Sequence, residues 1–205
     1  MTYWDISPII SPRLAVWPGD TPVSRELLLD ISHGANIDLS TLRTTVHVGA
    51  HADAPHHYHQ HGLSVETLDL NVYMGECFVH TVANKPLIMA EDCKVPISTG
   101  TKRVLFRTNS YPDPNYFNKD FSAFHPEAVA ALGQAGVILL GIDTPSVDPV
   151  SSKDLPSHQN LFQYKIANLE GLVLSEVSDG RYELIALPLR LEGFDASPVR
   201  AILRR

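Results

Sequence analysis

A chain of 205 residues with 44% apolar and 19% charged residues has the composition of an ordinary globular protein. Its formal net charge of −7 argues against nucleic acid or an anionic membrane as the main partner. No stretch approaches the ~20 apolar residues of a membrane-spanning helix, and the N-terminus lacks the pattern of a signal peptide. We therefore expect a single domain over residues 1–205, located in the cytoplasm.

The secondary-structure elements are expected to be short, because fifteen prolines are spread along the chain. The clearest helix is Pro126–Gln134, with proline in its first turn, and a shorter helix is expected near Ala90–Cys93. Strands are predicted at eight segments rich in β-branched, aliphatic and aromatic residues: Trp4–Ile10, Arg25–Ile31, Ile37–Val48, Glu76–Ala83, Arg103–Arg107, Val137–Ile142, Leu172–Val177 and Tyr182–Leu189. The pattern predicts a mixed α/β or α+β domain with one substantial sheet.

The two cysteines, Cys77 and Cys93, are too few for a disulfide scaffold. We interpret both as unpaired thiols of the core or of loops. Such sparse thiols fit the reducing environment of the cytoplasm.

Six of the ten histidines fall within the fifteen residues of His47–His61, which read HVGAHADAPHHYHQH. Imidazole nitrogen and carboxylate oxygen are typical ligands of zinc. Alternate residues of an extended segment share one face, so an extended path would turn His47, His51 and Asp53 the same way. The small residues around Gly49 would let the backbone bend close to a metal. The spacing predicts a zinc site that begins with these three residues.

The same alternation continues to His59 and His61, so it does not show where the site ends. We interpret His56, His59 and His61 as facing solvent or lying outside the ligand shell. A surface histidine cluster without function, or an adventitious metal-binding patch, is the alternative interpretation of the whole segment.

The pattern from His47 to His57 resembles the H-x-G-T-H-x-D-x-P-x-H signature of the cyclase family of metal-dependent hydrolases. Ala50 stands where that signature has threonine. Within the family, the kynurenine formamidases are the most similar. The order and spacing of motifs match over nearly the whole chain, at Ala15–Asp20, Gly141–Asp148, Ser157–His158 and Asn168–Leu172.

This resemblance implies two zinc ions per chain. His47, His51 and Asp53 would hold one ion, and His158 would hold the second. Asp53 and Glu170 would bridge the ions or serve both, which would lower the repulsion between two nearby cations.

The resemblance also favours His57 as the general acid/base, and the alternation of faces independently prefers it to His56. Trp17, followed by Pro-Gly-Asp, is expected on a turn, where it would either stack on an aromatic substrate or pack into the core. Asp143 and Asp148 are interpreted as turn and packing residues outside the site.

The implied fold is an α/β domain with a mixed central β-sheet and few helices, of the swivelling β/β/α kind. The implied activity is hydrolysis of N-formyl-L-kynurenine to L-kynurenine and formate, by a homodimer. Hydrolysis of another aryl amide or lactam, such as isatin, is the alternative within the family. Outside enzymes, the histidine cluster would also suit a zinc-storage or metal-sensing protein, although the acidic balance opposes a DNA-binding sensor.

Overall fold

The computed structural model describes residues 2–83, 85–95 and 102–205, which contain thirteen β-strands and two α-helices. The strands are β1 Tyr3–Asp5, β2 Ser24–Leu29, β3 Leu39–Arg43, β4 His51–Asp53, β5 Met74–Thr81, β6 Leu87–Ile88, β7 Arg103–Arg107, β8 Ala123–Phe124, β9 Leu139–Ile142, β10 Ala167–Glu170, β11 Gly180–Ile185, β12 Ala196–Pro198 and β13 Ile202–Arg204. The helices are α1 Pro126–Gln134 and α2 Pro156–Tyr164. Single 3-10 turns lie at Ile31–His33, Pro55–His57, Val65–Thr67, Leu70–Tyr73 and Ala90–Cys93.

One curled mixed sheet of nine strands has the order β1-β13-β11-β5-β7-β9-β10-β4-β12. Its four central strands, β5, β7, β9 and β10, run parallel. The strands that flank them on either side pair antiparallel. Parallel strands end at the same edge of a sheet, and this edge is where open α/β sheets bind ligands. The prediction of a mixed central sheet with few helices is confirmed.

The core lies on both faces of the sheet, because neighbouring residues of a strand point to opposite faces. In β7, Val104 and Phe106 pack with the cluster that includes α1 and α2, whereas Leu105 packs into the cluster on the other face. The two helices therefore cover one face, and the N- and C-terminal strands help to cover the core of the other.

Three predicted elements lie where they were expected: Arg103–Arg107, Pro126–Gln134 and the shorter helix at Ala90–Cys93, which is a 3-10 turn. The predicted strand Leu172–Val177 is wrong, since the strand at this point is Ala167–Glu170. Gly171, with φ of +64°, turns the chain at the end of that strand, and the apolar residues beyond it are buried as a loop. Burial without strand pairing produced the misleading apolar pattern.

Several predicted strands are longer than the strands of the structure. The first stops at Asp5, before Pro8, and the strand predicted to reach Leu189 stops at Ile185, before Pro188. The strand predicted over Ile37–Val48 covers only Leu39–Arg43.

The hairpin formed by β2 and β3 stands apart from the main sheet, and each of its strand residues is exposed. At its base, the amide of Thr45 donates a hydrogen bond to the carbonyl of Thr21 at 3.0 Å. Five of its leucines are 41–60% exposed: Leu27, Leu28, Leu29, Leu39 and Leu42. Clustered exposed leucines of this kind are typical of an interaction surface.

Both cysteines, Cys77 and Cys93, are buried and free, as predicted. Burial raises the pKa of each thiol to about 12, which leaves both unreactive near neutral pH. Within the described ranges, no helix has the length and apolarity needed to cross a membrane.

Candidate metal centre

The centre is built where β10 pairs antiparallel with β4. His51 lies opposite Glu170, and Asp53 lies opposite Asn168. All four side chains are buried, and they lie on the same face of the sheet. A shift of β4 by one residue would turn His51 and Asp53 to the opposite face, away from Asn168 and Glu170.

The expectation of one extended path from His47 to His57 is wrong. The chain is a strand only over His51–Asp53. Gly49 bends the segment before it with φ of +57°, and the residues after it form the 3-10 turn Pro55–His57. The two bends bring the rings of His47 and His57 to a centroid distance of 4.2 Å. Glycine and proline, rather than strand alternation, therefore place these two imidazoles.

The first set of candidate ligands is His47, His51 and Asp53. Asp53 Oδ1 lies 3.0 Å from His47 Nδ1 and 3.4 Å from His51 Nε2. The second set is Asp53, His158 and Glu170, and His158 comes from the first turn of α2. His158 Nε2 lies 3.6 Å from Asp53 Oδ2 and 3.5 Å from Glu170 Oε1. The structure thus brings all five predicted ligands together, with Asp53 common to both sets.

These donor atoms fit a pair of divalent cations. His51 Nε2 and Asp53 Oδ1 are buried and have no hydrogen-bond partner among the described residues. Ligands held about 2.1 Å from a tetrahedral zinc are about 3.4 Å apart, which is close to the nitrogen–oxygen distances of both sets. Unpartnered polar atoms are costly in a protein interior, and a bound cation would satisfy both of these.

The second nitrogen of each imidazole is held by an acceptor outside the ligand sets. Such contacts fix the ring orientation and the tautomer of metal-binding histidines. The three contacts are His51 Nδ1 to the carbonyl of Gly49 at 2.8 Å, His158 Nδ1 to Asp148 Oδ2 at 2.7 Å, and His47 Nε2 to Asp195 Oδ2 at 2.9 Å.

Asp148 differs from its predicted role outside the site. Its carboxylate accepts hydrogen bonds from the amides of Ser157 and His158 at the start of α2, in addition to His158 Nδ1. It therefore both caps the helix and orients the ligand. Asp143 accepts from the amides of Thr108 and Asn109 and holds a neighbouring loop.

The charges of the cluster stabilise one another. Burial opposes ionisation of Asp53, but the imidazoles of His158, His47 and His51 close to its carboxylate hold its pKa well below its ordinary value. Burial likewise disfavours a charged His47, yet Asp53 and Asp195 raise its pKa to about 9. Metal ligation requires the binding nitrogen of each imidazole to be free of its proton, so a bound cation would compete with the protons that these carboxylates favour.

The donor atoms border a cavity of about 610 Å³. Both His56 and His57 are exposed, but only His57 lines the cavity, with a side chain that is 34% exposed. An aromatic wall of this cavity is formed by Trp17, Tyr111 and Phe117, whose rings contact one another. A cavity of this size with a polar floor and an aromatic wall is typical of a small-molecule site.

Trp17 lies on the predicted turn: the amide of Asp20 donates to its carbonyl at 2.9 Å, and Gly19 has φ of +101°. Its indole meets the ring of Phe117 edge-on at a centroid distance of 5.3 Å. Trp17 therefore both packs against an aromatic neighbour and lines the cavity, so its two predicted alternatives are compatible.

Part of the histidine density has a packing explanation that sequence reasoning missed. The ring of His59 stacks on Phe162 of α2 at a centroid distance of 3.7 Å. The side-chain amide of Gln159 donates to the carbonyl of Tyr58 at 2.9 Å. The segment after the ligands thus fastens α2, and with it His158, to the rest of the centre.

Sequence reasoning also missed Asn168 and Asp195. Asn168 Nδ2 donates to Asp53 Oδ2 at 3.1 Å and to Glu170 Oε1 at 2.8 Å. No local pattern marked either residue, although Asn168 lies in a motif of the family resemblance. Tyr111 and Phe117 were missed for the same reason.

This sheet, with two adjoining sets of metal-binding side chains at its edge, has the architecture of metal-dependent hydrolases. The family model described as "Putative cyclase" matches residues 4–149, so the chain belongs to the cyclase family. A solved "potential metal-dependent hydrolase with cyclase activity" has 28% identity and a TM-score of 0.85, over 98% of this chain and 96% of its own.

Two further solved structures have the same fold. A "predicted metal-dependent hydrolase from Bacillus stearothermophilus" has 28% identity and a TM-score of 0.84, over 98% of this chain and 97% of its own. An isatin hydrolase bound to the product analogue thioisatinate has 20% identity and a TM-score of 0.81, over 98% of this chain and 91% of its own.

Asp148→Asn should weaken metal binding at the set that contains His158 by roughly 10–100-fold, as loss of an outer-shell carboxylate does elsewhere. The substitution keeps the shape of the side chain and removes the charge that faces His158 Nδ1. Competition with a chromogenic chelator measures the affinity. Asp154→Asn, at an exposed acid of the same loop, is the matched control. Equal zinc affinity in Asp148→Asn and the wild type would contradict the orienting role.

Proposed function

We propose that the protein is a zinc-dependent arylformamidase that hydrolyses N-formyl-L-kynurenine to L-kynurenine and formate, a step of tryptophan breakdown by the kynurenine pathway. The observation that carries this proposal is the meeting of two metal-binding sets with an aromatic wall in one cavity. A flat aryl ring suits the wall, while a small acyl group reaches the donor atoms on the floor.

The proposed cofactor is two zinc ions per chain. His47, His51 and Asp53 would hold one ion, and His158 and Glu170 would hold the other with Asp53 shared. Imidazole-rich donor sets favour zinc over magnesium. When bound, such ions polarise a carbonyl group and lower the pKa of water.

His57 is proposed as the proton donor to the leaving group. An aryl amine leaves poorly as an anion, so cleavage of the formamide bond needs a proton at the departing nitrogen. His57 Nδ1 is engaged by Asp195 Oδ2 at 3.2 Å, which leaves Nε2 free to act in the cavity that the ring lines.

Hydrolysis of a cyclic aryl amide is the second candidate, since isatin hydrolases share the fold. A lactam would use the same aromatic wall and the same donor atoms. A zinc-storage protein would use the donor atoms alone and has no need for an aromatic cavity beside them.

A second copy of this chain is proposed as the partner that covers the β2–β3 hairpin, which would make the protein a homodimer. Both faces of the hairpin are exposed, and its base continues into the cavity wall at Asp20 and Thr45. An apolar arm of this kind can be buried by the same arm of a symmetry-related copy. We propose the cytoplasm as the compartment, and the two free buried thiols support this location.

The proposed activity is tested by a panel of N-formyl-L-kynurenine, formanilide and isatin, assayed with and without a chelator. We expect the formamides to be hydrolysed, activity to be lost with the chelator, and zinc to restore it. Elemental analysis should find more than one equivalent of metal per chain. Turnover of isatin alone would favour hydrolysis of cyclic aryl amides over the proposed activity. Turnover of none of the three compounds would favour a non-enzymatic metal-binding protein.

The two neighbouring histidines provide a matched test of the proton donor. His57→Ala should keep its metal and slow the chemical step by roughly 10²–10⁴-fold, the usual contribution of general acid–base catalysis. The loss should shrink for formanilides with electron-withdrawing rings, because their amines leave with less help. His56→Ala, outside the cavity, should be nearly as active as the wild type. An inactive His56→Ala with full metal content would reverse the assignment.

Trp17→Ala should raise KM for N-formyl-L-kynurenine by a few-fold to about tenfold, as expected for losing a ring contact of ~0.5–1.5 kcal/mol. Metal content should stay unchanged, because the indole packs on the rings of Phe117 and Phe121. Trp17→Phe should have a smaller effect. Unchanged kinetics in Trp17→Ala would make the indole a packing residue only.

The proposed dimer is tested by sedimentation equilibrium, which should give the mass of two chains. Replacing Leu28 and Leu42 by Asp should shift the protein to one chain, because charge would replace apolar surface in the covered arm. Leu63→Asp, at a side chain 57% exposed outside the hairpin, is the control. A wild-type mass of one chain would refute the dimer.

A further inference from the structure

Asp195 occupies a fixed position between the ligand strand and the cavity. It directly precedes β12, whose Ala196 lies opposite Asp53. Its carbonyl accepts a hydrogen bond from the amide of Ala54 at 2.8 Å. The backbone of Asp195 is therefore held by the strand that carries His51 and Asp53, while its side chain remains 39% exposed.

One carboxylate oxygen of Asp195 contacts two imidazoles. Oδ2 lies 2.9 Å from His47 Nε2 and 3.2 Å from His57 Nδ1. The other ring nitrogen of His47 lies 3.0 Å from Asp53. One ring nitrogen of His47 therefore faces Asp53 of the first ligand set, and the other faces Asp195. His57 contacts the same Asp195 oxygen as His47 does.

We infer that Asp195 is a positioning residue, which holds the proton donor His57 and the ligand His47 in one orientation through a shared oxygen. A carboxylate that accepts from Nδ1 selects the imidazole with its proton on Nδ1 and stops the ring from flipping. His57 then presents Nε2 to the cavity. Charge-assisted hydrogen bonds of this kind are stronger than neutral ones. The assignment of His57 as proton donor rests on the proposed function; the two contacts do not.

A third metal site is the competing explanation, because ligand atoms of His47, His57 and Asp195 also lie within 4.8 Å of one another. That set differs from the other two in three respects. His57 and Asp195 are partly exposed, none of the three is an unpartnered buried group, and Nδ1 of His47 already faces Asp53. The same contacts are accounted for by hydrogen bonds from two rings to one carboxylate.

A double-mutant cycle at saturating zinc separates positioning from general structural damage. Asp195→Ala should lower kcat by roughly 10–100-fold when His57 is present, with the larger share of the loss in kcat rather than KM. In a His57→Ala background the same substitution should change kcat less than about threefold, because the residue it acts through is gone. Asp195→Asn, which keeps the shape and an acceptor oxygen, should lose less than Asp195→Ala. Equal losses in both backgrounds would overturn the inference.

Two readouts do not depend on the substrate, so they separate this inference from the proposed function. Titration with zinc alone against a chromogenic chelator should show zinc binding weakened by roughly 10–100-fold in Asp195→Ala, with unchanged stoichiometry at saturation. Loss of one equivalent at saturation would instead make Asp195 a ligand and overturn the positioning role.

Long-range proton–nitrogen NMR of the zinc-loaded protein reports the state of the His57 ring. The wild type should show one form with the proton on Nδ1, and Asp195→Ala should show a mixture. Glu192→Gln, at an exposed acid of the same loop, should match the wild type in every measurement. An identical His57 spectrum in wild type and Asp195→Ala would refute the inference even if the protein hydrolysed none of the proposed substrates.

Discussion

Two carboxylates, Asp53 and Glu170, are buried side by side with exposures of 2% and 3%, and the surrounding structure makes their charge tolerable. An unpaired buried carboxylate costs several kcal/mol. Asn168 donates to both groups, the amide of Val147 donates to Glu170, and the imidazoles complete the surroundings. Even so, one oxygen of Asp53 has no hydrogen-bond partner among the described residues. Two neighbouring buried carboxylates with such an oxygen are suited to bind a cation.

Strand register determines whether these groups meet. Ala52 and Leu169, which alternate with the polar residues of β4 and β10, belong to the apolar cluster beneath the sheet. A shift of β4 by one residue would turn His51 towards the apolar cluster and Ala52 away from it. The packing of Ala52 in that cluster therefore fixes the position of His51. At the end of β10, a Cβ atom on Gly171 would lie 2.1 Å from the carbonyl oxygen of Gly49. Only glycine lets the two loops close here.

The residues of the centre that could be predicted from sequence alone lie close together along the chain. His47, His51 and Asp53 lie within seven residues, and the spacing of their donor groups is visible in the chain. His158 and Glu170 were expected only through the family resemblance, because a single acid or histidine has no local signature. Asp195 reaches the site through pairing of distant strands, which no spacing rule describes. The expected strand Leu172–Val177 failed for the converse reason, since a loop buried under a sheet is as apolar as a strand.

The β2–β3 hairpin leaves the body of the protein between two residues of the cavity wall. Thr45 Oγ1 donates to Asp20 Oδ2 at 3.3 Å, so the hairpin is closed at its base. His51, Asp53 and Glu170 lie on strands that do not pair with the hairpin, and His158 lies on α2. Insertions, deletions and substitutions along the arm can therefore accumulate without moving these four ligands, while His47 is held at the base by its amide hydrogen bond to Thr45 Oγ1. In evolutionary terms the arm is a module, in which the contacts of the protein with its surroundings can diverge while its chemistry is retained.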